Sequence, residues 1–261
     1  MKIFDSSESR QLKKNMMLLT LLWTVIMASS FIWNNIDRRK ELYQNYTQMA
    51  RVALNKDIMY RVWCSMHGGV YVPVTEQTPP NPYLVNVMER DIITPSGRQF
   101  TLMNPAYMTR QVYEVNKDRN EIYTHITSTK PIRPQNSPDE WESNALKSFE
   151  EDKTGKPEKK NGPEEKEILA IQDMNGKKFM RLISPLYVEE SCMKCHSVQG
   201  YKTGEIRGGI SVAVPLESLK ITLDKNDLFL ILRYLCMWFF GIGGIFFTWV
   251  NIHRQIKKRS Q

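Results

Sequence analysis

Cys192-Met193-Lys194-Cys195-His196 places two thiols and an imidazole within five residues. Two cysteines spaced by two residues, with histidine directly after, form the arrangement that attaches a c-type haem. The thiols lie about one helical turn apart, so both can reach the haem vinyl groups and form thioethers. His196 follows on the same side of that turn, where its imidazole can bind the iron axially. Chance rarely assembles such a pentapeptide in a chain with 4 Cys and 4 His. A thioredoxin-like redox pair and half of a zinc site are the competing readings, and zinc has no second CxxC to complete its ligands. The expectation is one covalently bound haem c, held by Cys192, Cys195 and His196.

The sixth iron ligand must come from elsewhere. His67 and Cys64 stand three residues apart at the end of a long helical stretch, so both can face the same side. Imidazole binds iron in either oxidation state, and Gly68-Gly69 after it would let a bulky macrocycle approach the backbone. Cys64 would bind as thiolate and favour ferric iron. His67 is the expected ligand and Cys64 the alternative, while their ordinary roles are a helix-end cap and a buried thiol. Met66 is the remaining thioether next to the site. His125 lies in an apparent strand and is given a supporting role, such as a hydrogen bond to a haem propionate. His253 falls in the C-terminal tail and is excluded.

These residues need a membrane-anchored frame. Met16 to Trp33 is an uncharged apolar run preceded by Lys13 and Lys14, and its length suits a helix crossing the hydrocarbon layer, which takes about 20 residues. A cleavable signal peptide ending near Ala28-Ser29-Ser30 is the competing reading, against which the length of the run argues. A second run, Leu228 to Val250, is interrupted by Arg233, which can snorkel to the interface. Gly241, Gly243 and Gly244 make a smooth patch open to another helix, and Cys236 is a bystander in this run. The expected organisation is a cytoplasmic tail (1–15), a span (16–33), an extracytoplasmic domain (34–227), a span (228–250) and a basic cytoplasmic tail (251–261). The location is the inner membrane, with the main domain in the periplasm or its equivalent. The basic C-terminal tail sets that orientation. The net charge of +8 does not imply nucleic acid: four basic against two acidic side chains in 1–15, and four basic with none acidic in 251–261, account for +6, leaving +2 for everything between.

Ile36 to Met66 carries a helical apolar stripe without proline or glycine, and Gly68-Gly69 ends it. Val70–Val74, Phe100–Met103, Ile122–Thr127, Lys178–Val188 and Gly209–Val214 read as strands of one antiparallel sheet. Pro138 to Phe149 reads as a helix capped by Ser137 or Asp139. Glu150 to Glu167, with seven acidic and five basic residues, reads as a solvated, mobile loop (150–167).

The stretches His67–Val74, Pro79–Leu84, Thr101–Glu114, His125–Glu142 and Cys192–Val212 resemble, in order, the extracytoplasmic c-type-haem sensor domains with a PAS-like fold. The resemblance implies an α+β domain, a PAS-like antiparallel sheet with flanking helices between two transmembrane helices, and one haem between sheet and helix. It implies a signalling role, and the family includes cysteine-ligated members. Only eleven residues follow Val250, so the output is expected on a separate partner. The expected function is an extracytoplasmic redox or gas sensor signalling to that partner. The alternative is a one-electron carrier subunit of a membrane redox complex. No enzyme activity is expected, since no distal acid–base set is visible. The expected partners are the membrane, haem and a signalling protein or redox complex, with a homodimer left open and nucleic acid excluded.

Overall fold

The computed structural model describes residues 2–116, 122–151, 166–190, 193 and 199–259. Cys192, Cys195, His196 and most of the charged 150–167 loop lie outside them. The chain divides into two units, Met1–Gln44 with Glu217–Gln261, and Asn45–Leu216.

The first unit is helical. Helix α1 runs from Lys2 to Met66 and so extends into the second unit's sequence, and the last helix, α4, runs from Glu217 to Arg259. Two stretches, Arg10–Met66 and Asp227–Ile256, are long and apolar enough to cross a membrane. Their most apolar windows are only 6 % buried, so among the described residues most of this apolar surface is uncovered. The two helices meet antiparallel. Trp23 Nε1 donates to the Trp238 carbonyl at 3.3 Å, and Trp238 Nε1 donates to Thr24 Oγ1 at 3.1 Å. One turn on, the Ser30 and Tyr234 hydroxyls are 2.9 Å apart, and beyond them Arg38 and Arg39 pair with Asp227. Of the glycine patch, Gly241 is the one that permits close approach: a Cβ there would stand 2.2 Å from the Trp23 ring, while one at Gly243 or Gly244 would meet nothing within 4 Å.

In the second unit, α1 stops as its glycine pair predicts. Gly68 N and Gly69 N donate back to the Ser65 and Cys64 carbonyls, both at 2.9 Å, with φ of +71° and +100°. The strands that follow form two antiparallel sheets rather than the single sheet expected. Strands β1 (Val70–Pro73), β2 (Asp91–Ile93) and β3 (Gln99–Met103) make one, ordered β1-β3-β2. Strands β4 (Tyr123–Thr127), β5 (Ile168–Met174), β6 (Lys177–Tyr187) and β7 (Ile206–Pro215) make the other, ordered β4-β7-β6-β5. The pairing separates them: β3 lies between β1 and the short β2, whereas β4 pairs with β7. Strand β5 was not expected, although its turn is legible. Asn175-Gly176, with φ of +58° and +79°, joins β5 to β6 as the two-residue hairpin this dipeptide favours.

Two helices complete the unit. Helix α2 (Pro105–Asn116), absent from the sequence reading, starts with Asn104 Oδ1 accepting from Tyr107 N at 2.9 Å. Helix α3 (Glu140–Glu151) is capped by Asp139, not Ser137. Asp139 Oδ1 accepts from Glu142 N at 2.8 Å and Asp139 N donates to Glu142 Oε2 at 3.1 Å, a reciprocal capping box. Ala145, Leu146 and Phe149 of α3 bury against Ile183 of β6. The described ends of the charged loop are not free: Glu150 and Glu151 belong to α3, and Glu167 pairs with Arg51 of α1.

Candidate functional site

The second unit contains a cavity of about 580 Å³. Helix α2, strand β4, the loop from Ser128 to Asn136, the turn around Asn81–Leu84, and Arg61 of α1 contribute to its wall. Leu84, Val87, Ile126, Ile132 and Leu186 make it apolar, and Tyr83, Tyr107 and Tyr113 add aromatic surface. Its charge is one-sided: five cations (Arg61, Arg110, Lys130, Arg133, Arg207) line it against one carboxylate, Glu114, with His125 beside them. A cavity of this size and apolar character falls within the range of small-molecule and cofactor sites.

Strand β4 is tied on both sides. Thr124 Oγ1 donates to Asp57 Oδ2 of α1 at 2.8 Å, and burial raises the Asp57 carboxyl against the opposing effect of that hydrogen bond. The next residue, His125, has Nδ1 3.0 Å from Glu142 Oε2 and Nε2 3.0 Å from the Gln135 carbonyl. Both partners are acceptors, so the ring satisfies both only when each nitrogen carries a proton. This pairing favours the imidazolium form of His125. Burial alone would lower its pKa, but the Glu142 carboxylate and the Gln135 carbonyl outweigh burial and raise it. Neither nitrogen is left for a propionate or a metal, so the supporting role expected for His125 is replaced by a structural one.

That geometry has a pH consequence. A histidine whose folded pKa is raised contributes stability that is fully present below its unfolded value, about 6.5, and is lost as pH rises through the folded value. The wild-type chain is expected to lose denaturant resistance as pH rises above about 6.5, relative to His125→Asn, whose profile lacks this component. Equal slopes for the two chains in urea titrations over that rise in pH would contradict the assignment.

The sequence-predicted residues are distributed as follows. Cys64 is fully buried, and its thiol donates to the Met103 carbonyl of β3 at 3.5 Å. Burial raises its pKa, partly offset by the charge of Arg61. Arg61, one helical turn earlier, lines the cavity, whereas Cys64 packs against β3. His67 is exposed; its Nδ1 lies 2.8 Å from the Trp63 carbonyl and its ring rests on Trp63 at 4.5 Å. The Trp63 carbonyl is an acceptor, so that bond makes Nδ1 the donor. Neither Cys64 nor His67 is among the residues lining the cavity. Cys192, Cys195 and His196 lie outside the described residues, but Gln199, three residues after His196, lines the cavity and donates from Nε2 to the Lys130 carbonyl at 2.9 Å. Among the described residues, no group of three or more His, Cys, Asp or Glu side chains could hold a metal ion.

A family model for Tll0287-like proteins matches residues 38–215. The chain belongs to the Tll0287-like family. The Tll0287-like match takes in the cavity and the CxxCH pentapeptide together. Among solved structures, the chain is similar to the crystal structure of the cyanobacterial haem protein Tll0287, at 13 % identity and a TM-score of 0.42, over 66 % of this chain and 95 % of that one. No curated protein matches. Within the family span, the sequence reading missed the cavity's cationic wall. Lys130 and Arg133 fall in the stretch His125–Glu142, but only folding puts them on the wall of the same cavity as Arg110.

Proposed function

We propose that this chain is a membrane-anchored c-type haem protein that senses a redox change or a small gas outside the inner membrane and signals to a separate protein. The observation that carries the reading is the CxxCH pentapeptide in a Tll0287-like chain, with Gln199 on the cavity wall three residues after its histidine. Three residues of chain span at most about 11 Å. The name-giving member of the family, Tll0287, is described as a haem protein.

The cavity fits such a group. A planar apolar macrocycle with two carboxylates needs apolar walls and cations, and this cavity has both. Cys192 and Cys195 would supply the thioethers and His196 an imidazole to the iron, with Cys64 or His67 as a further protein ligand. When bound, haem supplies a one-electron change at iron and a site for a diatomic ligand. The chain's own part is to exclude water with Leu84, Ile126 and Leu186 and to hold β4 rigid through Asp57 and Glu142. The sheet β4-β7-β6-β5, with α2 and α3, supports a PAS-like description of the domain. Sensing is favoured because Cys64 and the first apolar run belong to one helix, α1.

The full chain, made in a host with working c-type maturation, is expected to keep one haem per polypeptide after denaturation and acid-acetone extraction. A colourless denatured band would overturn the reading. A haem-bearing chain that captures oxidase or reductase subunits and no signalling protein would move the function to electron transfer.

A further inference from the structure

We infer that Lys130 and Arg133 of the β4–α3 loop, with Arg110 of α2, form a carboxylate clamp in the cavity wall, built for a dicarboxylate ligand. On the haem reading, which this inference deepens, the ligand's carboxylates are the two propionates.

All three side chains line the one cavity. Among the described residues Lys130 and Arg133 have no carboxylate partner: Lys130 Nζ lies 5.8 Å from the Tyr201 ring, and Arg133 donates to Asn136 Oδ1 at 3.2 Å. Arg110 stacks on Tyr107 at 4.4 Å, and its ion pair with Glu114 is long, 3.8 Å, with that carboxylate more than half exposed. Like charges gathered in an apolar-walled cavity repel one another and focus a positive potential, which an anion relieves. Planar guanidinium groups match a carboxylate's two oxygens, and a lysine adds a point charge.

The loop is also built to stay in place. Ser128 N donates to the Asn136 carbonyl at 3.0 Å, closing it end to end. Ser128 Oγ donates to the Arg207 carbonyl at 2.6 Å and accepts from Lys130 N at 3.2 Å. Gln199 holds the Lys130 carbonyl, and Pro131 and Pro134 fix φ on either side of Arg133. A loop pinned at both ends and stiffened by two prolines presents its cations with little ordering cost on binding.

The test uses the full haem-loaded chain, the double variant Lys130→Gln/Arg133→Gln, the single variant Arg110→Gln, and Lys147→Gln as an exposed cation of α3 outside the cavity. Resonance Raman bands of propionate bending and the reduction midpoint are read for each. The double variant is expected to shift the propionate bands to lower frequency and the midpoint to a lower potential, since loss of positive charge disfavours the added electron. Arg110→Gln should shift both in the same direction by less, and Lys147→Gln should shift neither. Unchanged bands and midpoint in a double variant that keeps its covalent haem overturn the clamp alone. The same shift in Lys147→Gln would reduce the effect to net charge and also overturn it. A wild-type chain without haem overturns the haem reading and the propionate assignment together. Arg133→Lys with Lys130 retained, which keeps the charge, should restore the midpoint while leaving the bands partly shifted.

Discussion

Cys64→Ser is expected to convert the low-spin ferric spectrum of the haem-loaded chain to a high-spin one, and His67→Ala to leave it low-spin. On ligand strength in both oxidation states the sequence favours His67, and burial moves the expectation to its neighbour. Cys64 is wholly buried one helical turn after Arg61, which lines the cavity, whereas the His67 ring lies exposed on Trp63. Without a metal, burial keeps the thiol protonated, its hydrogen on the Met103 carbonyl. Iron would have to replace that proton, and thiolate prefers the ferric state, so reduction should weaken the bond. Such weakening at the end of a helix is a physical route from oxidation state to signal. The opposite pattern of spectra would reinstate His67, whose Nδ1 is engaged by the Trp63 carbonyl and whose Nε2 would be the ligating atom.

Replacing Glu142 by alanine is expected to destabilise the Asn45–Leu216 unit by about 3–5 kcal/mol, the usual cost of stranding one partner of a buried ion pair. Glu142 is 1 % exposed and lies between two cations, Arg181 at 2.9 Å and His125 at 3.0 Å. It also accepts the Asp139 N–H that starts α3. Arg181, 5 % exposed, would keep Asp139 at 2.6 Å and the face of Trp141 at 4.4 Å, which sets the loss toward the lower end of that range. Urea titration followed by Trp141 fluorescence reads the change. Glu142→Leu combined with Arg181→Leu should recover much of the loss, because neither charge is then stranded. A midpoint unmoved by Glu142→Ala would show that the network contributes no net stability.

What the sequence determined by itself is what lies within a few residues of chain. The Cys192–His196 chemistry is read from five consecutive side chains, and the haem expectation rests on them without any fold. The apolar runs of α1 and α4, the glycine stop after Met66 and the cap at the start of α3 are equally local. Each depends on hydrogen bonds or hydrophobic periods that close within one or two turns. The Asn175-Gly176 hairpin belonged to this class and went unread.

What the tertiary structure decided depends on residues far apart in the chain. Two sheets form because β1, β2 and β3 pair among themselves while β4 pairs with β7, a fact about pairing that no single strand's composition records. His125 reads as a spare imidazole until Glu142 and Gln135 supply two acceptors, which only the approach of α3 and the loop to β4 can do. Cys64 and His67 share a helix end in sequence, and burial against Met103, 39 residues on, separates them. Gly241 differs from Gly243 only through Trp23, more than two hundred residues away. Arg110, Lys130 and Arg133 become one positive wall only when α2 and the β4–α3 loop enclose the same space. Local hydrogen bonding and period fix an element; only the closing of long loops of chain fixes what that element faces.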